Sequence, residues 1–328
     1  MKRAFSIQSL ILLAACLVTA RAAAEWYSDT QSIMGTRVHA EVWQEDAAAG
    51  QRVLAEIMAE MRRIDAVFST FLETSELSRL NREAGKGWME VSDELFDLLK
   101  KSRMVSDLTD GAFDITYASA GRYYDYRAGE RPDEETLRMA LAAINYRYVE
   151  LDEKTTRVRF AHPEVYVDLG GIAKGHAVDR CAAILAREGI MQGMISAGGD
   201  SRIIGDRRGK PWTVGIRDPR REDVTVVLLP LVDTAVSTSG DYERFFEEDG
   251  VRYHHILDPS TGDSARATRS VTILGKEATF TDALSTSVFV LGPVEGLKLI
   301  NRLPGVDAIV IDAEGVMRYS AELDELAH

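Results

Sequence analysis

Four stretches of this chain carry side chains and glycines suited to holding an anion, a cation or a proton. The first is Asp168-Leu169-Gly170-Gly171-Ile172-Ala173-Lys174-Gly175. It is expected to leave a strand and enter a helix. Glycines there let backbone N–H groups approach an anion, and a helix start favours negative charge. Lys174 adds a point charge for a phosphate. The plainer reading is a tight strand-to-helix turn with a surface lysine. The spacing fits neither a P-loop nor a G-x-G-x-x-G fingerprint. The second stretch is Ser196-Ala197-Gly198-Gly199-Asp200. Two glycines at a strand end allow close contact with a flat or bulky ligand, and Asp200 can accept hydrogen bonds. A simple hairpin turn would use the same residues.

The third stretch is His254-His255-Ile256-Leu257-Asp258-Pro259-Ser260-Thr261-Gly262, where Asp-Pro and Thr-Gly mark a turn. It holds two of the six histidines. Either could accept a proton near neutral pH, although a lone histidine is more often structural. The fourth is Thr281-Asp282-Ala283-Leu284-Ser285-Thr286. On a helix, Asp282 and Thr286 would share a face, ~5–6 Å apart. A carboxylate beside a hydroxyl is hard-oxygen chemistry suited to Mg2+, with phosphate oxygens and water completing the shell. Alternatively Asp282 caps the helix. No Cys/His cluster suggests zinc, and no G-x-S-x-G nucleophile signature is present.

The elements that must position these residues follow from periodicity. Thr36 to Trp43 alternates, with Val38, Ala40 and Val42 on one face, as in a half-buried strand. Val53, Ile57, Met61, Ile64 and Phe68 form one apolar helical stripe. Ser92 reads as the N-cap of a helix from Asp93 to about Asp107. Pro132 is expected to open another, with Asp133, Glu134 and Glu135 set against its dipole. Short strands are expected at Tyr148–Asp152, Arg157–Phe160, Val165–Asp168, Gly193–Ser196, Trp212–Ile216, Thr225–Leu229, Ala235–Thr238, Val271–Leu274 and Ala308–Ile311. Helices are expected from about Ala173 to Glu188 and from near Asp282 to about Leu291, the latter ending at Gly292-Pro293. The class is therefore α+β, with mixed sheets and packed helices in a single globular unit.

Composition sets outer bounds. With 45% hydrophobic and 28% charged residues among 328, the chain has the make-up of a folded protein. Its formal charge of −13 argues against nucleic-acid binding, which needs clustered Lys and Arg, but not against one nucleotide in a local pocket. Residues 1–24 read as an export signal, leaving 25–328 as the mature domain. Lys2 and Arg3 are followed by an apolar run from Ile11 to Val18, too short to span a bilayer. Ala22-Ala23-Ala24 resembles a cleavage site. A second route is open, because Leu13-Ala14-Ala15-Cys16 resembles a lipoprotein box that would lipidate Cys16. Simple cleavage leaves Cys181 alone, so no internal disulfide forms; its apolar neighbours mark it as a buried structural thiol.

Each signal is weak singly, but their order is specific. Together with Met34-Gly35-Thr36, Gly111-Ala112-Phe113-Asp114-Ile115-Thr116, Trp212-Thr213-Val214-Gly215-Ile216-Arg217-Asp218-Pro219 and Ser237-Thr238-Ser239-Gly240-Asp241-Tyr242, they resemble the FAD:protein FMN transferase, or ApbE, family from about Met34 to Asp312. The resemblance implies an FAD site lined by Met34, Ala112, Phe113, Asp114, Asp168, Lys174, Gly198, Gly199, Asp200 and Ile256. It implies Mg2+ held by the Gly171 carbonyl and the side chains of Asp282 and Thr286. His255 matches the family's catalytic histidine, with His254 as a bystander.

The chemistry implied is phosphoryl transfer. A Ser or Thr hydroxyl of an acceptor protein attacks the FMN-side phosphorus of FAD, and AMP leaves. The family's acceptor motif resembles Ser/Thr-Gly-Ala-Ser/Thr, which this chain lacks, so a separate acceptor is implied, such as a membrane redox subunit. Export fits a periplasmic enzyme, with an inner-membrane anchor only if Cys16 is lipidated. Two alternatives share the site: a Mg2+-dependent FAD pyrophosphatase, and a non-catalytic FAD-binding protein.

Overall fold

The computed structural model describes residues 24–327. The export-signal expectation and Cys16 lie outside the described residues. The chain opens with a hairpin of β1 (Glu25–Ile33) and β2 (Thr36–Gln44), then α1 (Ala47–Phe68), α2 (Glu76–Glu83), β3 (Met89–Glu90), α3 (Asp93–Leu108), α4 (Ala118–Gly121) and α5 (Glu134–Leu141). Next come β4 (Val149–Asp152), β5 (Arg157–Phe160), α6 (Ala173–Arg187), β6 (Gly193–Ala197), β7 (Asp200–Ile204), β8 (Trp212–Asp218), β9 (Arg221–Leu231) and β10 (Ala235–Gly240). The chain finishes with β11 (Phe245–Glu248), β12 (Val251–His254), β13 (Thr268–Gly275), α7 (Ala278–Ile300), β14 (Asp307–Asp312), β15 (Met317–Tyr319) and α8 (Ala321–Ala327).

The main sheet has eight strands in the order β1-β2-β6-β7-β10-β13-β14-β15. The α+β class stands. Every ladder between the described strands is antiparallel, which refines the expectation of mixed sheets. Helices α1, α6 and α7 lie side by side on this sheet, α1 against β1 and β2, α6 against β6 and β7, α7 against β10 and β13. The stripe Val53, Ile57, Met61, Ile64 and Phe68 is buried, and so are Val38, Ala40 and Val42 facing it. Truncating one such residue to Ala costs ~2–5 kcal/mol. Cys181 joins this core, its Sγ 3.6 Å from the Ile57 carbonyl, and burial pushes its thiol pKa up. It is the structural thiol expected.

Three expectations need correction. Val165–Asp168 is extended but joins no sheet. Its backbone groups are met by other partners. Asn81 Oδ1 accepts from Val167 N at 2.8 Å, and Asn81 Nδ2 donates to Val167 O at 2.9 Å. Tyr166 N donates to Ser119 Oγ, and Asp168 N to the Ile115 carbonyl. With these groups satisfied, no ladder is required. Second, α5 starts at Glu134 with Asp133 as its N-cap, so Pro132 stands outside the helix. Third, α7 starts at Ala278, which puts Asp282 inside the helix rather than at its cap. The expected end at Gly292-Pro293 holds: the helix breaks at Gly292, which has φ 76°, and a second helical segment continues α7 from Pro293 to Ile300. Glycine alone tolerates that angle without strain, and proline follows it at a new helical start. The first half of α7 is apolar enough to be buried, and Leu284, Val288 and Phe289 form a second core with Val271, Ile273 and Val310.

Candidate active site

Three of the four motifs meet where α6 and α7 reach the ends of β6, β7 and β10, and His255 of the remaining motif feels the Lys174 charge. The Gly170-Gly171 turn enters α6, whose second residue is Lys174. Its ammonium is the hub. Nζ lies 2.9 Å from Asp200 Oδ2, 3.2 Å from both oxygens of Asp282, and 3.0 Å from the Gly170 carbonyl. Asp200 opens β7 just after the Gly198-Gly199 turn, and Asp282 sits in the second turn of α7. Both carboxylates are almost wholly buried, at 2% exposure each, so they depend on this cation for charge balance. Two carboxylates share one ammonium, so burial and the Asp200 charge push Asp282 up to about 7.

Gly171 brings the remaining expected cation ligand close. A Cβ built on it would stand 3.2 Å from Thr286 Oγ1 and 3.3 Å from Phe113 Cε2. The structure therefore gathers Gly171, Asp282, Thr286, Lys174, Asp200 and Phe113. Ser239 on β10 adds hydroxyl support, 2.7 Å from Ser285 Oγ and 3.5 Å from Thr286 Oγ1. Among the described residues no three His, Cys, Asp or Glu side chains converge. A cation here would rest on carboxylate, hydroxyl and carbonyl oxygens. Lys174 tests that fit, because its own positive charge already stands among those oxygens, as a hard cation would.

Asp168 is tied down from three sides. Thr70 Oγ1 donates to it at 3.0 Å, Tyr117 OH at 3.1 Å and Gly170 N at 2.7 Å. Burial and the Asp168 charge push the Tyr117 phenol pKa up, so it stays a donor. Sequence reasoning missed Thr70 and Tyr117. Their only signal was proximity to motifs, Thr70 just after α1 and Tyr117 just after Asp114-Ile115-Thr116. Beside Thr70, the Phe71 side chain is 85% exposed.

Asp114 behaves differently from the other acids. It accepts from Thr116 N, Thr116 Oγ1 and Tyr146 N at 2.6–2.8 Å. Burial outweighs these bonds and raises its pKa. Its carboxylate shapes the Ala112-Phe113-Asp114 loop. Met34 sits at φ 56° in the β1–β2 turn beside Gly35. That turn abuts the Gly198 turn, since a Cβ on Gly198 would be 2.8 Å from Thr36 Oγ1. Ile256 is 6% exposed and packs in the second core.

The two histidines separate clearly. His254 is structural: its Nε2 bonds the Ala265 carbonyl at 2.7 Å, and its backbone N–H donates to Ser264 Oγ. His255 Nδ1 is buried and has no hydrogen-bond partner among the described residues. Burial first, then His254, Arg244 and Lys174, pull the His255 pKa down to about 3. The ring is therefore neutral at pH 7, with one nitrogen unengaged.

The ApbE family model matches residues 34–310. An FAD:protein FMN transferase of Vibrio cholerae is 33% identical, covering 96% of this chain and 96% of its own length. One from Treponema pallidum is 32% identical, covering 92% and 88%. The crystal structure of the ApbE protein from Thermotoga maritima superposes with a TM-score of 0.85 at 36% identity, over 93% of this chain and all of that one. The flavin transferase ApbE from Vibrio cholerae superposes at 0.81 with 29% identity, over 92% and 99%. The chain belongs to the ApbE family.

Proposed function

We propose that this protein is a Mg2+-dependent FAD:protein FMN transferase, exported to the periplasm, acting on a Ser or Thr hydroxyl of a separate acceptor protein. The observation that carries the reading is the buried cluster of Lys174, Asp200 and Asp282 against the Gly170-Gly171 turn. One ammonium against two carboxylates leaves room for a divalent cation, and with that cation the helix start behind it would favour a diphosphate. Family membership and the relatives' shared activity point the same way.

The residues divide the work. The Gly170-Gly171 turn and Lys174 would hold the diphosphate of FAD. Asp168, fixed by Thr70, Tyr117 and Gly170, would accept hydrogen bonds from the flavin half or its ribityl chain. The Gly171 carbonyl, Asp282 and Thr286 would hold Mg2+, which when bound neutralises charge on the diphosphate oxygens. The acceptor hydroxyl forms a bond to the FMN-side phosphorus as the bond to the AMP phosphate breaks. AMP carries away the electron pair, and the hydroxyl proton passes to the His255 imidazole. A neutral imidazole is in the right protonation state for that. A bound diphosphate would bring negative charge near a histidine whose pKa Arg244 and Lys174 now help to lower, which would raise its basicity.

The test is mass spectrometry of a candidate acceptor, a periplasm-facing redox subunit carrying a Ser/Thr-Gly-Ala-Ser/Thr-like motif, after incubation with FAD and Mg2+. An FMN phosphoester on one Ser or Thr is expected, with AMP appearing in equal amount. AMP released at the same rate without acceptor, and no modified peptide, would replace transfer with hydrolysis. Neither AMP nor modification, with FAD bound, would leave only a binding protein.

A further inference from the structure

Helix α7 carries Asp282, Ser285 and Thr286, yet its own N-cap residue, Glu277, makes no side-chain hydrogen bond to the helix. The first N–H groups of a helix have no intrahelical acceptor and must be met from elsewhere. Here they are met from α6. Asp179 Oδ1 accepts from Ala278 N at 2.9 Å, and Oδ2 accepts from Thr279 N at 2.8 Å and Thr279 Oγ1 at 2.6 Å. A carboxylate at this position also faces the positive end of the α7 dipole.

One turn earlier on α6, Gly175 makes a second grip. Its N–H donates to Asp282 Oδ2 at 3.0 Å. A Cβ there would stand 2.1 Å from the Ala278 carbonyl oxygen and 2.8 Å from Asp282 Cβ, so the helices touch backbone to backbone. Two grips a turn apart fix both the height of α7 along α6 and its rotation. They leave Asp282 facing Lys174 and Thr286 facing Gly171.

We propose that Asp179 is a positioning residue, which caps α7 from the neighbouring helix and thereby sets Asp282 and Thr286 in register with the Gly170-Gly171 turn. This rests on the reading of Asp282 and Thr286 as cation ligands. It adds that the segment supplying the glycine turn and Lys174 also orients the opposing ligands. Partners that orient ligands without touching the ion change metal affinity by roughly 10–100-fold when removed.

Purified Asp179→Ala, Asp179→Asn and wild-type protein are compared for Mn2+ affinity by electron paramagnetic resonance without FAD, and for amide exchange. The Ala variant should bind Mn2+ roughly tenfold more weakly, with faster exchange at Gly175 and at residues 278–282. The Asn variant keeps one accepting oxygen and should lie between the two. Wild-type Mn2+ affinity in the Ala variant, despite frayed amides at 278–279, would make the cap merely structural and overturn the proposal. Should the Ala variant not fold, the Asn variant decides alone, and unchanged affinity with unchanged exchange at Gly175 overturns it. If wild-type protein binds no Mn2+, the cation reading fails instead. Exchange at Gly175 then still decides whether Asp179 holds Asp282 in place.

Discussion

Replacing Lys174 with Met tests whether its ammonium stands in for a cation. The methionine keeps most of the side chain's length and removes the charge. Asp200 and Asp282 would then face each other, both buried, with no positive group between them. Breaking a buried ion pair by deleting one partner costs roughly 3–5 kcal/mol. Lys174 keeps 28% of its side chain exposed, which lets water take up part of the loss, so about 2–3 kcal/mol is expected. For a chain of this size that is a fall in Tm of roughly 3–5 °C.

The pH dependence of the loss identifies its source. Asp282 already binds its proton more tightly folded than unfolded, and removing Lys174 strengthens that preference. A group whose pKa is raised on folding contributes stability at low pH, and the contribution disappears as pH climbs through the folded value. The variant should therefore be nearer wild type at pH 6 than at pH 8. Mg2+ should raise the variant's Tm more than that of wild type, because it meets two uncompensated carboxylates. FAD, by contrast, should bind the variant more weakly. Thermal unfolding by circular dichroism at both pH values, with and without Mg2+, measures all but the last, and flavin fluorescence titration supplies that. A variant with wild-type Tm at pH 8, or an equal Mg2+ response in both proteins, would refute the stand-in argument.

Other outcomes follow from the same geometry. His255→Ala should lose ~10²–10⁴-fold in transfer rate while FAD still binds; an unchanged single-turnover rate would remove the imidazole from the proton step. Asp282→Ala should abolish Mg2+-dependent AMP release, and an active, EDTA-resistant variant would move the cation site elsewhere. Between pH 6 and 8, Mn2+ affinity should rise roughly tenfold and level off above, because a proton competes for Asp282 around its raised pKa of about 7; a flat profile by electron paramagnetic resonance would contradict this. Gly175→Ala, with its Cβ 2.1 Å from a backbone oxygen, should cost ~3 kcal/mol or more, whereas Gly171→Ala meets only side-chain atoms at 3.2–3.3 Å and should fold. Equal Tm values for these two variants would show that α6 and α7 separate freely.

Local chemistry was legible in the sequence wherever a short segment settles its own conformation. The α1 stripe, the Ser92 cap and the alternation of β2 depend on neighbours within a few residues, and all three stand. Val165–Asp168 shows where that logic stops. Its residues favour a strand, but Asn81, Ser119 and Ile115 take its backbone groups from far along the chain. The start of α7 fails for the same reason. Its cap comes from Asp179, ninety-nine residues earlier than Ala278, so the sequence around Glu277 carries no start signal. Asp282 was consequently placed at a helix end when it belongs a turn inside, and that displacement matters chemically. At a cap, its carboxylate would be spent on its own backbone. One turn in, with Asp179 doing the capping, both oxygens are released to Lys174 and the Gly175 amide. The local signal was thus least informative where the chain commits a distant carboxylate to structure so that a nearer one remains available for chemistry.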